Sequence, residues 1–86
     1  MQTYKTNSEK ILILANYREA ILIYKNNPNI HNGDLTNALR GFGLVLEKRR
    51  EIEEAIVVWK ETKELYRSIY LQEGVEEANQ KIKSLS

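Results

Sequence analysis

The sequence predicts an all-α fold of antiparallel helical hairpins, three to four helices in all, and three observations carry that prediction. Apolar residues recur at steps of three and four, as in Leu35, Ala38/Leu39, Phe42 and Val45/Leu46. The densest cluster of chain-breaking residues is Pro28 to Asp34 (PNIHNGD), which separates two such patterns. The 86 residues suffice for one domain, 1–86, and not for two.

The first helix is expected to begin near Thr6-Asn7-Ser8-Glu9, where Thr6 and Glu9 fit a capping box that satisfies orphan N–H groups of the first turn. It should end at Lys25, before Asn26, Asn27 and Pro28. Between these signals Ile11–Leu14 and Ile21–Ile23 are unbroken apolar runs. Successive helical residues point about 100° apart, so such runs place apolar groups nearly all round the cylinder. An edge strand at Lys10–Ala15 is the alternative, with no second strand to pair it.

Asp34 is placed to cap the second helix. The face opposite its apolar stripe reads Asn37, Arg40/Gly41, Leu44 and Lys48, polar except for Leu44. Cations at Lys48, Arg49 and Arg50 followed by anions at Glu51, Glu53 and Glu54 complement the end of one helix and the start of another, which puts a turn at about 49–51. No Gly or Pro enforces it, so one continuous helix remains the alternative. The third helix is expected over Glu51–Gln72, with Ile52, Ala55/Ile56, Trp59, Thr62, Tyr66 and Ile69/Tyr70 as its core stripe. Gly74 is read as a break, followed by a short helix carrying Val75, Ala78, Ile82 and Leu85.

Composition excludes several functions. Thirteen Lys and Arg against twelve Asp and Glu leave a charge of +1, without the cationic surplus that phosphate contacts demand, so no nucleic-acid partner is expected. The absence of cysteine removes disulfides, thiolate metal sites and cysteine nucleophiles. The uninterrupted apolar run Ile11–Ala15 is far short of the ~20 residues of a membrane span and of a signal-peptide core. No membrane partner is expected, and the cytoplasm is the default compartment.

An internal repeat is also present. Leu39-x2-Phe42-Gly43-x2-Leu46 followed by Ala55-x3-Trp59 resembles the tetratricopeptide repeat, with Leu39 where Trp is typical. Small Gly43 and Ala55 would let two antiparallel helices approach closely beneath the Trp59 indole. Asn16 to Ile21 with Tyr24 is similar to the second helix of a preceding repeat, and Ala20 to Ala55 spans 35 residues, near that family's period. Gly74-Val75-Glu76-Glu77-Ala78 is a further echo, only 23 residues after Ala55. The likeness covers roughly residues 16–82 and departs from the family at Pro28 and at the glycine-free turn near Arg50. It implies a tetratricopeptide-like α-α superhelix acting as a protein–protein interaction module. The implied partner-binding groove is the off-core stripe Asn37, Arg40, Leu44, Glu47 and Lys48, joined by Arg67, with Tyr70 and Leu71 as further candidates for a partner surface. Leu44 stands where carboxylate-clamping members carry a polar residue, which argues against that ligand.

The alternative function is self-association. Fewer than three repeats leave faces uncovered, and the first helix would bury Leu12, Ile13 and Ile23 in a homodimer. Catalysis is not expected. His31 is the sole histidine and lies in the loop; Gly41-Phe42-Gly43 lies within a helix, without the strand and third glycine of a phosphate loop. Glu51, Glu53 and Glu54 suit a solvated helix start better than an acid–base pair. No metal and no cofactor are expected.

Overall fold

The computed structural model describes residues 7–27 and 32–86. Thr6, His31 and the Pro28–Ile30 segment lie outside the described residues, and with them the expected capping box. The described chain forms four helices: α1 (Asn7–Lys25), α2 (Asn32–Lys48), α3 (Ile52–Ser68) and α4 (Gln72–Leu85). The segment read as a candidate strand is helical. α2 starts earlier than expected, so Asp34 lies inside its first turn, where a carboxylate complements the helix dipole, and does not precede the helix as a cap.

The α2–α3 break falls at 49–51, as the charge order indicates, and the continuous-helix alternative is excluded. Arg50 takes the left-handed conformation that glycine usually supplies, with φ 61°. Its N–H donates to the Glu47 carbonyl at 3.0 Å, and the Glu51 N–H donates to the Leu46 carbonyl at 2.9 Å. That pair of bonds is a Schellman motif, which satisfies carbonyls left open at a helix end. The Glu51 carbonyl then accepts from the Ala55 N–H, so one residue closes α2 and opens α3.

The α3–α4 turn repeats this construction and corrects the expected boundary. Tyr70 is left-handed (φ 59°), its N–H donates to the Arg67 carbonyl, and the Leu71 N–H donates to the Tyr66 carbonyl. α3 therefore ends at Ser68, short of Gln72. Tyr70, expected in the core stripe, is 95% exposed. Gly74 is not a break; it lies within α4, buried against the ring of Tyr66.

The core comprises Leu14 and Ile21 of α1, Leu39, Phe42 and Leu46 of α2, Ala55, Val58 and Trp59 of α3, and Ala78 of α4. Val58 belongs to it although the expected stripe omitted it; Ile52 and Ile56 are only half-buried. Buried Thr62 returns its hydroxyl to the Val58 carbonyl at 2.7 Å, which removes the cost of a polar group there.

Each helix packs on its chain neighbours, α1 on α2, α2 on α3 and α3 on α4. Helices two apart are joined by long charged side chains. Arg18 of α1 forks onto Glu54 of α3 at 2.7 and 3.0 Å, and Lys25 reaches Glu61 at 2.6 Å. Both bridges advance seven residues along each helix, so α1 and α3 run parallel. On the other side Arg40 of α2 meets Glu77 of α4, and Glu47 meets Lys81. The result is two layers, α1 with α3 and α2 with α4.

Small residues are spaced in step with this layering. Ala20, Gly43, Ala55 and Ala78 fall one to a helix at separations of 23, 12 and 23 residues. The step from Ala55 to Ala78 spans 23 residues. It equals the step from Ala20 to Gly43, and both same-layer steps are 35 residues.

Candidate interaction surface

Trp59 and Tyr66 sit seven residues apart on α3, on the face toward α2 and α4. Trp59 is fully buried under α2, and a Cβ on Gly43 would stand 2.9 Å from its indole atoms. The missing side chain of Gly43 is what admits the indole. The indole N–H emerges beyond Gly43 and donates to Glu47 Oε2 at 2.7 Å. The other oxygen of Glu47 accepts from Lys81 at 3.1 Å, and the Lys81 ammonium lies 5.9 Å from the Trp59 ring centroid.

A similar pair lies further along. Arg40 donates to both oxygens of Glu77, at 2.9 and 2.7 Å. This two-point bond holds the Glu77 carboxyl below its ordinary range, against an opposing push from burial, with smaller help from Lys81 and the Tyr66 hydroxyl. It also raises the Arg40 guanidinium. Burial raises the Tyr66 phenol, and the neighbouring Glu77 charge adds to it. The α2–α4 face thus carries a strip of four charges, Arg40, Glu77, Glu47 and Lys81, each carboxylate backed by an aromatic residue of α3.

Of the groove residues read from the sequence, Arg40 and Glu47 are brought together here, each committed to a partner on α4. Asn37 and Lys48 are exposed on α2, and Leu44 is half-buried against the core. Arg67 does not join them: its guanidinium pairs with Glu64 on its own helix. Glu77 and Lys81 are the members that sequence reasoning missed. The available signal was their position, 35 residues after Phe42 and Leu46, where α4 substitutes charge for the apolar groups of α2.

The second candidate surface belongs to α1. Leu12 and Ile23 are 59% and 56% exposed, Leu22 is equally open, and Ile13 is half-buried. Val57 of α3 is also exposed; it lies between Glu54 and Glu61, as Leu22 lies between Arg18 and Lys25. Leu22 and Val57 therefore occupy the stretch of the α1–α3 layer between its two ion pairs.

Among the described residues no three of His, Cys, Asp and Glu are grouped as metal ligands would be, and no helix is long and apolar enough to cross a membrane. Among them also, no buried side-chain nitrogen or oxygen lacks a hydrogen-bond partner. No protein-family model, curated protein or solved structure matches this chain.

Proposed function

We propose that this chain is a non-catalytic, cytoplasmic protein-interaction module of the tetratricopeptide-like kind, and that it binds a peptide or helix of another protein along its α2–α4 face. The observation that carries this reading is the strip of Arg40, Glu77, Glu47 and Lys81, which ties α2 to α4 and lies beside exposed Asn37 and Lys48. Both signs of charge are presented in fixed order, which suits recognition by complementary charge. The 35-residue recurrence of small residues supports the family likeness. Photo-crosslinking amino acids placed at Asn37 and Lys48, with Lys60 on α3 as the control, test it in cell extract. One partner should be trapped from the first two positions and not from the third. Trapping from Lys60 alone would remove this face from consideration.

A second reading is self-association through α1, supported by the open side chains of Leu12, Leu22 and Ile23. The two readings use opposite layers and are compatible.

A further inference from the structure

We infer that a second copy of this chain covers the outer face of α1 in an antiparallel two-fold pairing, with Leu12 against Ile23 and Asn16 against Glu19 of the partner copy. The inference rests on the self-association reading and specifies its geometry. Leu14, Tyr17, Ile21 and Tyr24 turn inward on α1, and Leu12, Asn16, Glu19 and Ile23 form an exposed stripe on the other side. Their spacing of four, three and four keeps them in one line along the helix.

The order along this stripe is apolar, amide, carboxylate, apolar, and that order selects the orientation. In a parallel pair Glu19 would face Glu19 and Asn16 would face Asn16, which opposes like charges in the middle of the contact. In an antiparallel pair each Asn16 amide donates to the partner's Glu19 carboxylate, and each end is closed by Leu12 on Ile23. Leu22 and Ala15 flank the seam on one side, Ile13 and Ala20 on the other.

Residues elsewhere in the fold disfavour a head-to-tail chain. Such a chain would need α4 to offer α1 an apolar complement, but Glu76, Asn79, Gln80 and Lys83 make its exposed face polar. Among the described residues the other large exposed apolar groups are Val57, alone on α3, and Tyr70 with Leu71 at the α3–α4 turn. Neither offers a stripe of matching length, whereas the α1 stripe complements itself about a two-fold axis, a pairing that closes at two copies. A contact of one helix per copy falls at the small end of specific interfaces, so dissociation on the order of micromolar is expected.

The chain has no cysteine, so introduced thiols report cleanly. Light scattering at about 100 µM should give the dimer mass, and Ile23→Asp, an exposed position, should give the monomer with unchanged circular dichroism. Under mild oxidation, Leu12→Cys mixed with Ile23→Cys should give the mixed disulfide, because the pairing brings those positions together. Neither variant alone should crosslink, since like positions are then roughly 16 Å apart at 1.5 Å per residue. A wild-type monomer at that concentration would overturn self-association itself. A dimer that crosslinks through Leu12→Cys alone would leave self-association standing and overturn the antiparallel register. A dimer indifferent to Ile23→Asp would overturn the choice of face.

Discussion

The indole N–H of Trp59, on α3, donates to the carboxylate of Glu47, on α2, across the gap left by Gly43. Hydrogen bonds to charged acceptors contribute about 1.5–3 kcal/mol. Glu47→Gln keeps an acceptor for the indole and loses only the ionic part, so it should destabilise by about 1 kcal/mol. Glu47→Ala leaves the N–H buried and unpaired and should cost about 1–3 kcal/mol. Trp59 is the sole tryptophan, so its fluorescence during urea unfolding measures both.

Three of the helical glycines, Gly41, Gly43 and Gly74, should respond to alanine in an order set by what each faces. Alanine gains about 1 kcal/mol of helix propensity over glycine at any of them. At Gly41 the added methyl meets the hydroxyl end of Tyr17, which can swing aside, so little net change is expected. At Gly43 it meets the immobile indole of Trp59 at 2.9 Å, and overpacking of about 1–3 kcal/mol should outweigh the propensity gain. Gly74→Ala should be the most damaging, because the ring of Tyr66 occupies the space its methyl needs. Thermal midpoints by circular dichroism should rank the three in that sequence.

Two left-handed residues invite the opposite change. An L-residue in this conformation costs roughly 1–2 kcal/mol, and glycine escapes that cost while losing more entropy on folding. Tyr70 makes few contacts to lose, so Tyr70→Gly should stabilise by up to about 1 kcal/mol. Arg50→Gly should do the same, whereas Tyr70→Val should destabilise, since a branched side chain tolerates this backbone least. Calorimetry would detect each shift.

Acid should loosen the α2–α4 face. The Glu77 carboxyl is held below its ordinary range mainly by Arg40, so on acidification the unfolded chain takes up its proton first. The stability this provides is complete above an unfolded value near 4.3 and is lost as pH falls through the lower folded value. Arg40→Leu should flatten that slope and cost about 1 kcal/mol or less at pH 7, because the pair is partly exposed. Urea midpoints at pH 7 and at pH 3 separate the two effects.

Helix periodicity and charge order made most of the fold legible. α1 and the 49–51 turn lie where Lys25, Pro28 and the Lys48–Glu54 charges place them. The end of α3 was not legible, because Tyr70 adopts a conformation that the sequence advertises only through glycine or asparagine. Gly74 misled for the complementary reason: its lack of a side chain serves the ring of Tyr66 and not a bend. Arg40 and Glu47 were readable as polar positions off the core stripe. Their partners Glu77 and Lys81 were not, since ion pairs between helices two apart follow from layer geometry and not from spacing along one helix.

The rule that every packed pair of helices is also consecutive in the chain bears on how the molecule assembles. Contact order is low when neighbours in space are neighbours in sequence, and such chains fold in microseconds to milliseconds. Docking can proceed one hairpin at a time, with the bridges Arg18–Glu54 and Arg40–Glu77 clasping only after both hairpins exist. A lesion in α1 should then fray that helix first and leave the α3–α4 hairpin protected in hydrogen exchange.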